Sequence, residues 1–120
     1  MPELIAHLIG DYCLQNHWMA TKKTDRWWPA LLHALFYGLP FLFLISSWQQ
    51  WAVIVGTHLI IDRLRLAGYW VRFWGVGHPG WMARWAGPID PPPPFLGVWL
   101  LIIVDNTLHL LINHLALRFL

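Results

Sequence analysis

Residues 29–48 read PALLHALFYGLPFLFLISSW and carry no formal charge. A bilayer crossing needs about 20 mainly apolar residues, so this stretch is read as a membrane-spanning helix. A kink is expected near Gly38 and Pro40, because proline lacks a backbone donor and clashes with the preceding turn. Two further stretches qualify: 50–68, QWAVIVGTHLIIDRLRLAG, and 95–119, FLGVWLLIIVDNTLHLLINHLALRF. Both have acids and histidines embedded in them. The opening stretch, 2–20, mixes Glu3, His7, Asp11, Gln15, Asn16 and His17 with Leu4, Ile5, Leu8, Ile9, Tyr12 and Leu14, and is read as a helix shielded by the other three. The expected fold is therefore all-α, a four-helix transmembrane bundle forming one integral membrane domain over residues 1–120.

Composition agrees with lipid as the solvent. Of 120 residues, 58% are hydrophobic and 12% charged, with a mean hydropathy of +0.47, whereas soluble domains carry about 25% charged residues. A chain this short cannot enclose so much apolar surface in one water-soluble core. The formal charge of +2, without a long basic stripe, argues against a nucleic-acid partner. Cys13 is the only cysteine, which excludes a disulfide framework and a cysteine-based zinc site. The opening MPELIAHLIG has an acid in place of a basic leader and no small-residue cleavage site, so it is not read as a secretory signal.

Basic residues set the expected topology. Lys22, Lys23 and Arg26 fall between the first and second spans; Arg63, Arg65, Arg72 and Arg84 fall at the end of the third and beyond it. The short SSWQQ turn on the other side has none. By the positive-inside rule both termini then lie outside the cytoplasm. The connection 69–94 is Trp-rich, with Trp70/Trp74 and Trp81/Trp85 each four apart. It is read as an interfacial segment of two short elements between the third and fourth spans, followed by a stiff Pro91–Pro94 spacer.

The informative residues are the polar ones inside the spans. His7 with Asp11, His58 with Asp62, and Asp105 with His109 are each one helical turn apart, which puts both members on one helix face. Measured at about 1.5 Å per residue from the cytoplasmic ends, Asp11, His58 and Asp105 lie roughly 14 to 15 Å deep, Asp62 and His33 roughly 8 to 9 Å, and His7 and His109 near 20 Å. These depths predict a polar column open to the cytoplasm. An Asp at a helix centre costs about 3 kcal/mol, so three of them demand compensation by protonation, pairing or a cation. A divalent ion such as Zn, Mn or Fe suits neutral imidazoles together with carboxylates, and the set is large enough for two ions.

The expected metal ligands are thus His7, Asp11, His33, His58, Asp62, Asp105 and His109, with Asp11, Asp62 and Asp105 as catalytic carboxylates. Gln15, Tyr37, Asn106 and Asn113 are expected to orient them. Polar side chains also serve as interhelical glue, and that is the plain alternative for each pair taken singly.

The run His7-Leu-Ile-Gly10-Asp11-Tyr-Cys-Leu-Gln15, the basic Lys22 and Lys23, His33, His58-Leu-Ile-Ile-Asp62 followed by Arg63 and Arg65, and Asp105-Asn-Thr-Leu-His109 resemble the bacterial and phage membrane proteins grouped as domain of unknown function 3307. The last motif has Asn106 where that group has Gln. The resemblance implies an integral membrane protein, with a bacterial inner membrane as its location. It implies no reaction.

Three functions compete. A metal-dependent membrane hydrolase would use the His/Asp set on a lipid-like, amphiphilic substrate, with Lys22, Lys23, Arg63 and Arg65 receiving an anionic headgroup. A proton or cation pathway would use the same residues as a relay and would require a homo-oligomer. A non-catalytic, phage-related scaffold would use them only for packing among membrane lipids.

Overall fold

The computed structural model describes residues 1–75 and 93–120. All regular structure among them is helical: α1 (Pro2–Leu8), a π-helical turn (Ile9–Cys13), α2 (His17–Lys22), α3 (Trp27–Gly38), a 3-10 helix (Pro40–Phe43), α4 (Trp48–Leu64), α5 (Leu66–Trp74) and α6 (Pro94–Phe119). The chain divides into two compact units, Met1–Leu64 with His109–Leu120, and Arg65–Leu108.

In the first unit, α3 packs along α4, α2 and the π-helical turn against α3, and α1 against the 3-10 helix. The expected opening helix over 2–20 is broken. α1 starts with Pro2, whose missing N–H is no loss in a first turn. At Ile9 the helix widens into the π turn. Asn16, with extended backbone (φ −85°, ψ 169°), then starts α2 afresh, its side chain accepting the Met19 N–H at 2.9 Å. The π turn can touch α3 because residue 10 is glycine: a Cβ there would sit 2.7 Å from Tyr37 Cδ2 and 2.9 Å from the Tyr37 carbonyl oxygen.

The break expected near Gly38 and Pro40 is present, since α3 ends at Gly38 and tightens into the 3-10 helix. Trp51 Nε1 donates to the Gly38 carbonyl at 2.9 Å. α4 begins with a reciprocal cap: Ser47 Oγ accepts the Gln50 N–H, and Gln50 Oε1 accepts the Ser47 N–H, both at 3.3 Å. Gln50 Nε2 also donates to the Leu117 carbonyl at 3.3 Å, tying this end of α4 to the end of α6. The apolar core gathers Ala6, Tyr37, Phe41, Ile54 and Ala116.

The expected third span, 50–68, stops at Leu64, because Arg65 adopts left-handed backbone (φ 53°) and α5 starts beyond it. In the second unit α5 is two-faced. Ala67 and Val71 are buried; Tyr69, Trp70, Phe73 and Trp74 are exposed, and Trp70 stacks on Trp74 with ring centroids 6.1 Å apart. Gly75, at φ 87°, ends it. The rest of the expected interfacial segment, 76–92, lies outside the described residues. α6 matches the fourth expected span closely. Among the described residues it is the one helix long and apolar enough to cross a membrane, against the four that hydropathy predicts. The breaks at Ile9, Gly38 and Arg65 shorten the other three below that length.

Candidate metal centre

Four side chains from three elements of the first unit converge. The π turn carries Asp11, α3 carries His33, and α4 carries His58 and Asp62 one turn apart. All four residues are buried. Each offers one atom to a common point, and these atoms lie within 4.8 Å of one another, close enough to hold a metal ion. His33 Nε2 is 3.2 Å from Asp11 Oδ1 and 3.2 Å from Asp62 Oδ2. His58 Nε2 is 3.4 Å from Asp11 Oδ1 and 3.3 Å from Asp62 Oδ2. The two Nε2 atoms are 3.0 Å apart.

These separations are informative against known coordination geometry. A tetrahedron with metal–ligand bonds of about 2.0 Å has edges of about 3.3 Å. Five of the six edges of the Asp11–His33–His58–Asp62 set measure between 3.0 and 3.4 Å. The donor set, two imidazole nitrogens and two carboxylate oxygens, also suits a divalent transition metal. The outer nitrogens, His33 Nδ1 and His58 Nδ1, are buried with no hydrogen-bond partner among the described residues. The hydrogen-bonded acceptors that usually fix the tautomer of a ligating histidine are thus absent among the described residues.

Tyr37 holds His58 by its face, with ring centroids 3.6 Å apart and planes 9° from parallel. Its hydroxyl accepts from Asn113 Nδ2 at 2.6 Å and lies 2.9 Å from His7 Nδ1. His7 in turn stands 3.5 Å from Asp11 Oδ2. His7 therefore stands one step outside the set; His109, whose Nε2 is 3.6 Å from Asp62 Oδ1 and whose ring centroid is 4.3 Å from that of His58, is itself among the residues close enough to hold an ion. Asn113 reaches the set through the Tyr37 hydroxyl. Asp105 and Asn106 belong to the second unit. Gln15 Oε1 is buried without a hydrogen-bond partner among the described residues.

Tyr37→Phe keeps the ring stack and deletes the hydroxyl, leaving His7 Nδ1 and Asn113 Nδ2 each short of one buried partner. The expected cost is about 2 kcal/mol in unfolding free energy, read by denaturant titration. Cation affinity should fall by less than the roughly 10- to 100-fold typical when a direct partner of a ligand is lost, because the deleted hydroxyl meets His7 and Asn113 and the ring stack on His58 stays.

One group departs from its expected role. Lys23, expected at the mouth to meet an anionic headgroup, turns inward instead: Nζ donates to Asp62 Oδ2 at 2.6 Å and lies 3.2 Å from His33 Nε2. Arg63 is likewise engaged, its Nη1 donating to the Thr24 carbonyl at 2.7 Å and its Nη2 to the Asp25 carbonyl at 3.2 Å. The signal in the sequence is a charge deficit. Buried carboxylates need a compensating cation, and Lys23 is among the few in the chain.

No curated protein and no solved structure matches the chain. A family model described as "Protein of unknown function (DUF3307)" matches residues 1–77. The matched region contains Asp11, Lys23, His33, Tyr37, His58 and Asp62, and stops short of α6. On that match the chain belongs to the DUF3307 family.

Proposed function

We propose that the protein is a membrane-embedded, metal-dependent hydrolase whose cation is held by Asp11, His33, His58 and Asp62. The single observation that carries the cation site is the convergence of four buried N and O ligand atoms within 4.8 Å of one another, five of their separations being 3.0 to 3.4 Å. Zn, Mn and Fe all accept such a mixed shell.

The membrane setting is supported by an inverted distribution of polarity. His7, His33, His58, His109 and Asn113 are all at most 1% exposed, whereas Phe43 is 91% and Trp48 73% exposed. In water this is the costly arrangement; in lipid it is the favourable one. We place the first unit in the bilayer through α1, α3 with its 3-10 extension, and α4. α6 makes a fourth passage, and both termini lie outside the cytoplasm of a bacterial inner membrane. Broken helices at membrane depth are tolerated where protein covers their backbone.

A divalent cation at this site supplies Lewis acidity and lowers the pKa of a bound water to about 7. A shell closed by four protein ligands is a structural one, and a catalytic one keeps an open position. With Lys23 displaced, Asp62 would be the ligand to give way and serve as general base, leaving Asp11, His33 and His58 to hold the ion. An apolar cleft of about 470 Å³ between α1 and the 3-10 helix, lined by residues such as Ile5, Ile9, Leu39 and Phe43 and by none of the four ligands, would suit an acyl chain of an amphiphilic substrate.

The test is metal content of detergent-purified full chain beside Asp62→Asn and His58→Ala, with turnover of a fluorogenic lipid phosphate or carboxylic ester. One equivalent of Zn, Mn or Fe in the wild type, lost in both variants, together with metal-dependent turnover supports the reading. Metal-free wild type that resists loading overturns it.

A second reading is favoured by one observation: the polar contacts run in sequence from Asn113 through Tyr37, His7, Asp11 and His33 to Lys23. Such a relay suits proton movement in a homo-oligomer. Dissipation of a proton gradient by metal-free protein in vesicles, abolished by Asp11→Asn, would select it.

A further inference from the structure

We propose that Lys23 is a tethered cation seated on the metal centre, and that loading a divalent ion requires its ammonium to leave. The inference rests on the cation-site reading above and adds a control of that site. Nζ lies 2.6 Å from Asp62 Oδ2 and 3.2 Å from His33 Nε2, two of the four ligand atoms, which are themselves 3.2 Å apart. The ammonium thus sits beside two of the four ligand atoms and engages the oxygen that the ion would use.

The two cations compete for space and for charge. An ion bonded to Asp62 Oδ2 at about 2.0 Å lies no more than about 4.6 Å from Nζ while the Lys23–Asp62 contact of 2.6 Å persists. Repulsion between a divalent and a monovalent charge at that range is about three times RT even at the dielectric constant of water. That corresponds to about 20-fold in affinity, and burial enlarges it. Two carboxylates are balanced by one divalent ion; adding the ammonium leaves an excess positive charge.

The surroundings allow the exchange. Arg63, next to Asp62, fixes the turn after Lys23 by its two bonds to the Thr24 and Asp25 carbonyls, and its guanidinium carbon lies 5.0 Å from the centre of a Trp27 ring. The backbone that carries Lys23 is therefore pinned. Its side chain is 18% exposed while that of Asp62 is 5% exposed, so the flexible stem has a way out that needs no movement of α4. Metal-free and loaded states then differ chiefly in where one ammonium points.

Zinc titration of the full chain in detergent, against a competing chromogenic chelator, tests this. Lys23→Met is expected to bind zinc at least about 20-fold more tightly than wild type, and Lys23→Arg to stay near wild type because the charge remains. An independent readout in the wild type is acylation of Lys23 by a water-soluble amine reagent, located by peptide mass spectrometry; it should be slow without zinc and several-fold faster with it. Zinc affinity in Lys23→Met equal to or below wild type, or acylation indifferent to zinc, overturns the inference while Asp62→Asn still reports a real site. If Asp62→Asn binds zinc as well as wild type, the site itself is wrong and the inference falls with it.

Discussion

Stripping the cation from the loaded protein is expected to lower its unfolding free energy by about 4 kcal/mol when the free ion had been present at about 1,000 times its dissociation constant. The physical basis is that an unfolded chain cannot keep Asp11, His33, His58 and Asp62 together, so binding free energy appears as folding free energy. Thermal unfolding of the full chain in detergent, with zinc and then with excess chelator, measures the difference. His58→Ala should show almost no response to either addition. The stabilisation should also fade in acid, because carboxylates and imidazoles bind metal only in their deprotonated forms and protons therefore compete with the ion. An unfolding curve indifferent to chelator at pH 7 would contradict the proposal.

Much of this centre is legible in the sequence. His58 and Asp62 share a helix face by spacing alone, and in α4 their Nε2 and Oδ2 atoms are 3.3 Å apart. Depth along the spans groups Asp11 with His58 and His33 with Asp62, about one turn apart, and the side chains close that gap. What spacing does not show is where helices stop. Hydropathy carries the opening span through Leu14–Asn16, but the Asn16 side chain is worth more as a cap on the Met19 N–H than as an interior residue. The bend at Arg65 is equally hidden, since left-handed backbone is unusual outside glycine and no local pattern marks it.

The ligand set shows the same division. Asp105 and His109 have the spacing of a ligand pair, and His109 Nε2 does come to 3.6 Å from Asp62 Oδ1, while the four groups that converge in the first unit include neither of the pair. Periodicity reports which residues share a face. It cannot report which faces meet, and that is decided by packing such as the ring of Tyr37 against His58. Lys23 escapes a sequence reading for a related reason: a lysine between spans registers as a topological signal, and only the folded turn brings it to Asp62.

Gly10→Ala is expected to be among the most damaging single changes, although it touches no ligand. The added Cβ would lie 2.7 Å from Tyr37 Cδ2, 2.9 Å from the Tyr37 carbonyl oxygen and 3.0 Å from its Cα. Two of those atoms are backbone, so no rotamer relieves the clash and the π turn must move off α3. Overpacking of this kind costs about 3 kcal/mol. The displacement would carry Asp11 away from His33, 3.2 Å from it in the native arrangement, so zinc affinity should fall at least about tenfold together with stability. Gly56→Ala is the internal control: a Cβ there meets nothing within 4 Å, and alanine in the middle of α4 should add about 0.5 to 1 kcal/mol while leaving zinc affinity alone. If the two variants behaved alike, close approach of the π turn to Tyr37 could not be what positions Asp11. The placement of that carboxylate would then have to come from its own contact with His7, 3.5 Å away on the preceding turn, and the glycine would be serving only the local widening of the helix.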